Sequence, residues 1–231
     1  YSMALKESGS QGSHRSEEIV SRSEQFIEKY SKTIIWCVLG VIVLGVGIWL
    51  YIDKVVKPRG DKAAEQLYAA EEQFMAGADS AALNAPAAGA MGLLEIADKY
   101  SSTDAGKLAH AYAGIIYYDE GKYEEAIREL KEFKAKEKMV APSITRLIGD
   151  CYVELGKYEE AAKYFMDAAK AADNPVISPS CLIKAGHVYE ELGKHDQALK
   201  AYKEIQEKYY TAPESESIEA SIIRVEAQLK K

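Results

Sequence analysis

The sequence predicts an all-α protein with a single N-terminal transmembrane helix, an α-solenoid of helical hairpins and a C-terminal capping helix. Three features predict it: an uncharged apolar run near the N-terminus, a helical motif that occurs three times, and an amphipathic stripe at the C-terminus. Of the 231 residues 48% are apolar and 28% are charged, proportions that suit a folded protein. The net charge of −7 argues against a nucleic acid partner, whose phosphates need a basic surface.

Residues 1–32 form a predicted polar tail that ends in an amphipathic segment. The first half is polar and contains Gly and Ser, which favours disorder. In the second half, apolar residues such as Ile19, Phe26 and Ile27 recur at helical spacing. This segment is either an interfacial helix that leads into the membrane or the first turns of the membrane helix itself.

Residues 33–52 are predicted to cross a membrane as one helix. The segment contains no charged residue, and twenty residues of helix span about 30 Å, the thickness of the hydrocarbon core. Trp36 and Trp49 lie near its ends, where amphipathic rings favour the headgroup level. The run is too long for a cleaved signal and no small-residue cleavage pattern follows it, so we expect a retained anchor that contacts membrane lipid.

Charge does not orient this span. Both flanks carry basic residues within about 20 positions of the span, the range that sets topology. The N-terminal flank has Arg15, Arg22, Lys29 and Lys32, and the C-terminal flank has Lys54, Lys57, Arg59 and Lys62. Because the two sets are equal in number, the sequence alone leaves the topology open.

Residues 61–103 predict an atypical first helical hairpin, after a short linker at Arg59 and Gly60. Apolar residues at helical spacing indicate one helix over 61–76 and a second over 91–100. The stretch between them, AGADSAALNAPAAG, predicts an unusually wide turn.

Self-similarity is the strongest signal in the rest of the chain. The segment GIIYYDEGKYEEAIREL begins at Gly114, and related segments begin at Gly149 and Gly186. Each copy has a Tyr three residues after the first Gly, then Gly-Lys at seven and eight, then Ala at twelve. The pattern predicts three helical hairpins and a C-terminal cap, over residues 104–140, 141–177, 178–212 and 213–231.

The two glycines of each copy have different structural roles. The first lies in the middle of a helix, where glycine costs about 1 kcal/mol relative to alanine, so its recurrence predicts a close helix contact. The second, at Gly121, Gly156 and Gly193, is expected to end that helix in a left-handed conformation. In the cap, the stripe of Ile218, Ile222, Val225 and Leu229 is expected to cover the last repeat.

These residues resemble the tetratricopeptide repeat, a helix–turn–helix unit of about 34 residues. The arrangement of polar tail, one span, irregular hairpin and repeats is similar to the YfgM-like family of bacterial inner-membrane proteins. That resemblance implies a single-pass inner-membrane protein with a periplasmic repeat domain. It also implies association with the secretion translocon, with periplasmic chaperones or with nascent secreted chains.

In the register of the tetratricopeptide family, certain positions of each first helix point into a concave groove. The groove grades from apolar in the first repeat to acidic in the third, whose inward positions include Glu190 and Glu191. The partner-binding candidates are a subset of these positions. They are Leu108, Ala111, Ile115, Tyr118, Arg146, Asp150, Val153, Ile183 and His187. Exposed apolar residues favour a protein partner. The alternative is that the first hairpin or the C-terminal helix covers them.

We expect no catalytic residue, no cofactor and no metal. The sequence has no GxxxxGK[ST], HExxH or GxSxG motif, and an enzyme would need a buried cluster of titratable residues. His187, Glu190 and Glu191 share a helical face that could hold a metal, but an exposed polar face explains them more simply. A disulfide between Cys151 and Cys181 stays open.

The sequence therefore predicts a membrane-anchored protein-interaction scaffold rather than an enzyme. The leading interpretation is an envelope protein that assists secreted or envelope proteins near the translocon together with periplasmic folding factors. The alternatives are a membrane-tethered cytosolic adaptor, which has the same fold in the reverse topology, and an envelope assembly scaffold unrelated to secretion.

Overall fold

A computed structural model describes residues 30–33, 35–85, 89–135 and 138–230 of the chain. The chain divides into two compact units, Tyr1–Pro58 and Arg59–Lys231. The described residues form helices and turns and no strand, which confirms the all-α fold. The predicted tail, apart from its last residues, lies outside the described residues.

The described part of the first unit is helical. Helix α1 occupies residues 30–51, of which residue 34 is not described, and a π-helical stretch follows at Ile52–Val56. The apolar side chains of α1 are exposed. Trp36, Val41 and Leu44, for example, have exposed fractions of 75%, 70% and 67%. Among the described residues, the helical run Tyr30–Met75 is the one that is long and apolar enough to cross a membrane, by length and composition.

The remaining helices belong to the second unit, apart from Lys57 and Pro58, the first two residues of the first of these helices. Their bounds are α2 Lys57–Met75, α3 Asp79–Asn84, α4 Leu93–Lys99, α5 Asp104–Asp119, α6 Tyr123–Glu132, α7 Val140–Glu154, α8 Tyr158–Ala172, α9 Ser178–Glu191, α10 His195–Lys208, α11 Glu214–Ser217 and α12 Glu219–Leu229. From α4 to α10 each helix packs against the next one along the chain, and α12 packs against α10. This sequential packing is the geometry of a solenoid.

The predicted linker at Arg59 and Gly60 is wrong, because both residues lie inside α2. Pro58 breaks a helix when its ring meets the preceding turn, but it is tolerated in a first helical turn. Here the preceding turn is π-helical, and the Lys57 N–H bonds to the Ile52 carbonyl. Pro58 is the second residue of α2, and the chain remains helical through Gly60.

The wide turn between α2 and α4 contains a short helix that the sequence analysis did not predict. This helix, α3, has six residues and buries Ala82 and Leu83 against the first hairpin. A run of six residues is too short to show a helical period, which explains why the pattern did not reveal it.

Each of the three repeats turns between its helices in the same way. Gly121, Gly156 and Gly193 have φ of 74°, 68° and 68°, the left-handed conformation predicted for them. The N–H of the following lysine bonds to the carbonyl of the tyrosine five residues before it, at 2.8 Å in all three turns. These bonds satisfy carbonyls that the helix end leaves unpaired.

The mid-helix glycines allow the close contacts predicted for them. A Cβ built on Gly114 would lie 2.5 Å from Leu130 Cγ, and one on Gly149 would lie 2.7 Å from the ring of Phe165. At Gly186 the Cβ would overlap the ring of Tyr202. In each repeat the second helix therefore inserts a large side chain into a space that only glycine leaves open.

The core is a series of apolar clusters, each shared between neighbouring helices. The cluster over α5, α6 and α7 contains Ala126, Leu130 and Cys151, for example, at no more than 1% exposure. At the C-terminal end, Ile218, Ile222 and Val225 complete the last cluster. The predicted capping helix is divided at Ile218 into α11 and α12, and Leu229, which was expected in the stripe, is 41% exposed.

Candidate binding groove

The first helices of the three repeats, α5, α7 and α9, surround a pocket of about 240 Å³. The phenol of Tyr118 comes from α5, and the ring of Phe165, inserted beside Gly149, comes from α8. The remaining lining residues are on α7 and α9: Asp150, Val153, Glu154, Lys184, His187 and Val188. Since the pocket draws on three consecutive repeats, it depends on the stacking of the solenoid.

Four of the nine predicted groove residues line this pocket: Tyr118, Asp150, Val153 and His187. Four others lie outside it but are at least partly exposed: Leu108, Ile115, Arg146 and Ile183. The prediction for Ala111 is wrong. Its side chain is 3% exposed and packs in the core between α5, α6 and α7, because a single Cβ is too short to reach past that core.

Lys184 is a pocket residue that the sequence analysis missed. Its Nζ lies 2.9 Å from Asp150 Oδ1 and 5.8 Å from the centre of the Phe165 ring. The side chain thus combines an ion pair with a cation–π contact in the wall of the pocket. The signal that could have revealed it is the separation of 34 residues between Asp150 and Lys184, which is about one repeat.

Tyr118 presents a neutral phenol to the pocket. Burial raises the pKa of Tyr118, and the nearby carboxylates of Asp150 and Glu154 raise it further because they oppose a phenolate. The ring makes an edge contact with Tyr123 at 5.7 Å, and the Tyr123 hydroxyl donates a long hydrogen bond of 3.4 Å to Glu154. At neutral pH, Tyr118 therefore supplies an apolar ring and a hydrogen-bond donor.

The far end of the groove is occupied by the C-terminal helix. Glu190, an inward position of the third repeat, accepts hydrogen bonds from Arg224 of α12 at 2.8 and 3.0 Å and from the Tyr202 hydroxyl at 2.6 Å. These donors lower the pKa of Glu190, with Arg224 the larger cause. The C-terminal helix thus contacts the groove at Glu190, whereas the pocket at Tyr118 remains accessible.

The cysteines of α7 and α9 are part of the apolar core. Cys151 and Cys181 are buried free thiols, so the structure contains no disulfide between them. Burial raises the pKa of the Cys151 thiol to about 12 and also raises that of Cys181. A thiol that stays protonated is a poor nucleophile and a poor metal ligand.

Two families match parts of the second unit. Residues 93–168 match the family described as anaphase-promoting complex, cyclosome, subunit 3, and residues 179–207 match the tetratricopeptide repeat family. A TPR repeat-containing protein of Methanocaldococcus jannaschii is 38% identical over 61 residues, which are 26% of this chain and 10% of that protein. The chain thus spans only a small part of that relative's length.

Solved structures with the same fold have little sequence identity to the chain. The crystal structure of MamA protein aligns with a TM-score of 0.50 at 16% sequence identity. The alignment covers 73% of this chain and 90% of the MamA chain. A putative kinesin light chain with TPR-like repeats from Podosopora anserina aligns with a TM-score of 0.52 at 11% sequence identity. That alignment covers 74% of this chain and 88% of the kinesin light chain structure.

The fold and the pocket define a helical-repeat protein whose concave surface is built by consecutive first helices. The family matches and the structural likenesses make the class more specific: the repeats of the second unit are similar to tetratricopeptide repeats. Such an array is a scaffold for protein–protein interaction.

Proposed function

We propose that this chain is a membrane-anchored scaffold that binds a protein segment in the groove formed by α5, α7 and α9. One observation carries the proposal. The pocket of about 240 Å³ combines apolar walls from Val153, Val188 and Phe165 with charged groups from Asp150, Glu154 and Lys184. Apolar walls with a few polar groups that fix orientation are typical of binding sites.

The apolar run at residues 33–52 supports the anchor. In water, an exposed helix of this composition has no partner for its apolar surface, whereas a bilayer provides one. The resemblance to bacterial inner-membrane proteins supports a periplasmic groove, close to the translocon and to folding factors that receive secreted chains. In this role the protein binds and transfers its partners and carries out no chemistry.

Site-specific crosslinking tests the groove. A photoreactive amino acid replaces Val153 inside the pocket, and the matched control replaces Lys163, which is exposed on α8 and does not line the pocket. In cells that express the full chain, we expect a discrete adduct from position 153 and none from position 163. The partner, identified by mass spectrometry, must then bind the purified full chain. Equal crosslinking from both positions would contradict a groove.

Protease accessibility tests the location. If the repeats are periplasmic, protease added to spheroplasts digests them, while intact cells protect them. Digestion only after the inner membrane is broken would instead indicate a cytosolic adaptor.

A further inference from the structure

The first helices of the three repeats end on an acidic residue at the same position. These residues are Asp119, Glu154 and Glu191, and we call them the acidic rim. All three are exposed. A carboxylate at a helix C-terminus is unfavourable, because the helix dipole already places negative charge there.

The second helices of the repeats differ from the first in having a basic residue in the last turn. Each begins with acidic residues and has a lysine in its last turn: Lys131 in α6, Lys170 in α8 and Lys208 in α10. The first helices have no basic residue in the last turn. Two second helices also have a carboxylate in the last turn, Glu132 in α6 and Glu207 in α10, but each of these lies next to a lysine. An acidic last residue without a basic neighbour in the same turn recurs in all three first helices, which build the groove.

The acidic rim is not neutralised by other described side chains. In this part of the chain no lysine, arginine or histidine lies within 4 Å of the three carboxylates, and the hydrogen bond from Tyr123 to Glu154 is long at 3.4 Å. Of the lysines in the turns after the rim, Lys122 pairs with Glu120 and Lys194 with Glu159. The rim carboxylates therefore remain available to a cation from outside.

The pocket has the same charge bias as the rim. Its carboxylates are Asp150 and Glu154, and its lysine, Lys184, is already paired with Asp150. A ligand anion would compete with Asp150 for Lys184, whereas a ligand cation would meet Glu154 without displacing any ion pair. The rings and valines around these groups match the methylene stem of a long basic side chain.

We infer that the groove selects a protein segment in which a lysine or arginine adjoins apolar residues, with the basic side chain in the pocket and the acidic rim as its counter-charge. This inference rests on the proposed function and names the chemistry of the partner. The apolar residues of the segment lie toward Ile115 and Leu108 of the first repeat, two apolar side chains that are at least partly exposed.

A peptide selection tests the inference on the full chain in lipid nanodiscs. The probe is a phage-displayed library of random 12-residue peptides, depleted on empty nanodiscs. We expect enriched peptides to contain Lys or Arg beside an apolar residue, and a synthetic consensus peptide to bind more weakly as salt increases. Enriched peptides that are acidic or uncharged would overturn the inference and leave the groove as a binding site. No enrichment above empty nanodiscs would overturn the proposed function as well.

Charge-removing variants locate the contact. Glu154→Gln is expected to weaken the consensus peptide about two- to fivefold, and the Asp119→Asn, Glu154→Gln, Glu191→Gln variant about tenfold or more. The control Glu160→Gln has the same net charge as Glu154→Gln, and its exposed side chain on α8 does not line the pocket, so its affinity stays unchanged. Circular dichroism verifies that all variants are folded. Equal losses in Glu154→Gln and Glu160→Gln would overturn the inference.

Discussion

At the residue scale, the repeats are held together by three pairs of a glycine and a large side chain. Gly114 faces Leu130, Gly149 faces Phe165 and Gly186 faces Tyr202, and the large partners are at most 1% exposed. The glycine lowers helix propensity, but the buried leucine or aromatic ring more than offsets this loss through the apolar area that it removes from water.

Gly186→Ala is expected to destabilise the protein. The added Cβ would overlap the Tyr202 ring, which is fully buried and cannot move aside without disturbing the core of the last repeat. Overpacking of this kind costs about 1–3 kcal/mol, more than the gain of about 1 kcal/mol in helix propensity. Chemical denaturation of the full chain in detergent, followed by circular dichroism, measures the loss.

Gly60→Ala is the control for this experiment. Gly60 also lies in a helix, α2, but a Cβ there would meet nothing within 4 Å. Removing its backbone freedom should stabilise the helix by about 0.5–1 kcal/mol. The same substitution thus has opposite signs at the two positions, and stabilisation by Gly186→Ala would contradict the close contact.

At the element scale, α12 completes the solenoid by covering the last repeat. Val225 and Ile222 are buried in the core cluster that α10 also contributes to. Around this apolar contact, Arg224 binds both carboxylate oxygens of Glu190, and Lys203 pairs with Glu226 at 2.9 Å. The cap thus combines the burial that an end repeat needs with ion pairs that fix its position.

The pairing of Arg224 with Glu190 predicts a pH dependence of stability. The pKa of Glu190 is lowered from its usual 4.5 in the folded protein, chiefly by Arg224. Its contribution is therefore complete above about pH 4.5 and is lost as the pH falls through the lowered value. We expect Glu190→Gln to cost about 1 kcal/mol or more at pH 7 and to flatten the fall in stability between about pH 5 and pH 3.

The control is Glu207→Gln, at an exposed position on α10 that changes the net charge equally. Denaturation midpoints across this pH range should match the unmodified protein for Glu207→Gln and differ for Glu190→Gln. A fall in stability with the same slope in all three proteins would show that Glu190 does not contribute.

Periodicity predicted the solenoid because its signals are local and repeated. The turn glycines and the mid-helix glycines each have one physical use, so their recurrence identified the hairpins. Features set by single, unrepeated contacts were not predictable: α3 is too short for a period, and the break at Ile218 depends on packing at the cap. The pocket was only partly predicted. Family register pointed to Tyr118 and Asp150, which line the pocket, but it could not show that Ala111 is covered or that Lys184 reaches Asp150.

At the scale of the whole molecule, we propose that the apolar helix anchors the protein in a membrane and that the repeat array binds the partner. The first unit has apolar side chains on its exposed surface, and the second unit buries its apolar residues and exposes an acidic rim. The described helix of the first unit satisfies its backbone hydrogen bonds internally, and each repeat of the second unit packs on its neighbour.

The two tryptophans of the chain report on the proposed anchor alone. Trp36 and Trp49 are the only tryptophans, both lie within residues 33–52, and they are 75% and 61% exposed. Thirteen residues of helix separate them by about 20 Å, which places them toward opposite faces of a bilayer if the helix spans it. We expect blue-shifted emission and little quenching by acrylamide when the full chain is in vesicles.

Single-tryptophan variants test whether this helix spans the bilayer or lies in its surface. In vesicles with brominated lipid in the outer leaflet only and a uniform protein orientation, a spanning helix brings one tryptophan near the bromines and keeps the other away. Trp36→Phe and Trp49→Phe should therefore be quenched to clearly different extents, whereas brominated lipid in both leaflets should quench them alike. Equal quenching from the outer leaflet alone would mean that both rings lie at one interface, and strong acrylamide quenching would mean that they lie in water. Either result would contradict the proposed membrane anchor, and the proposal that the groove acts at a membrane would then lose its support.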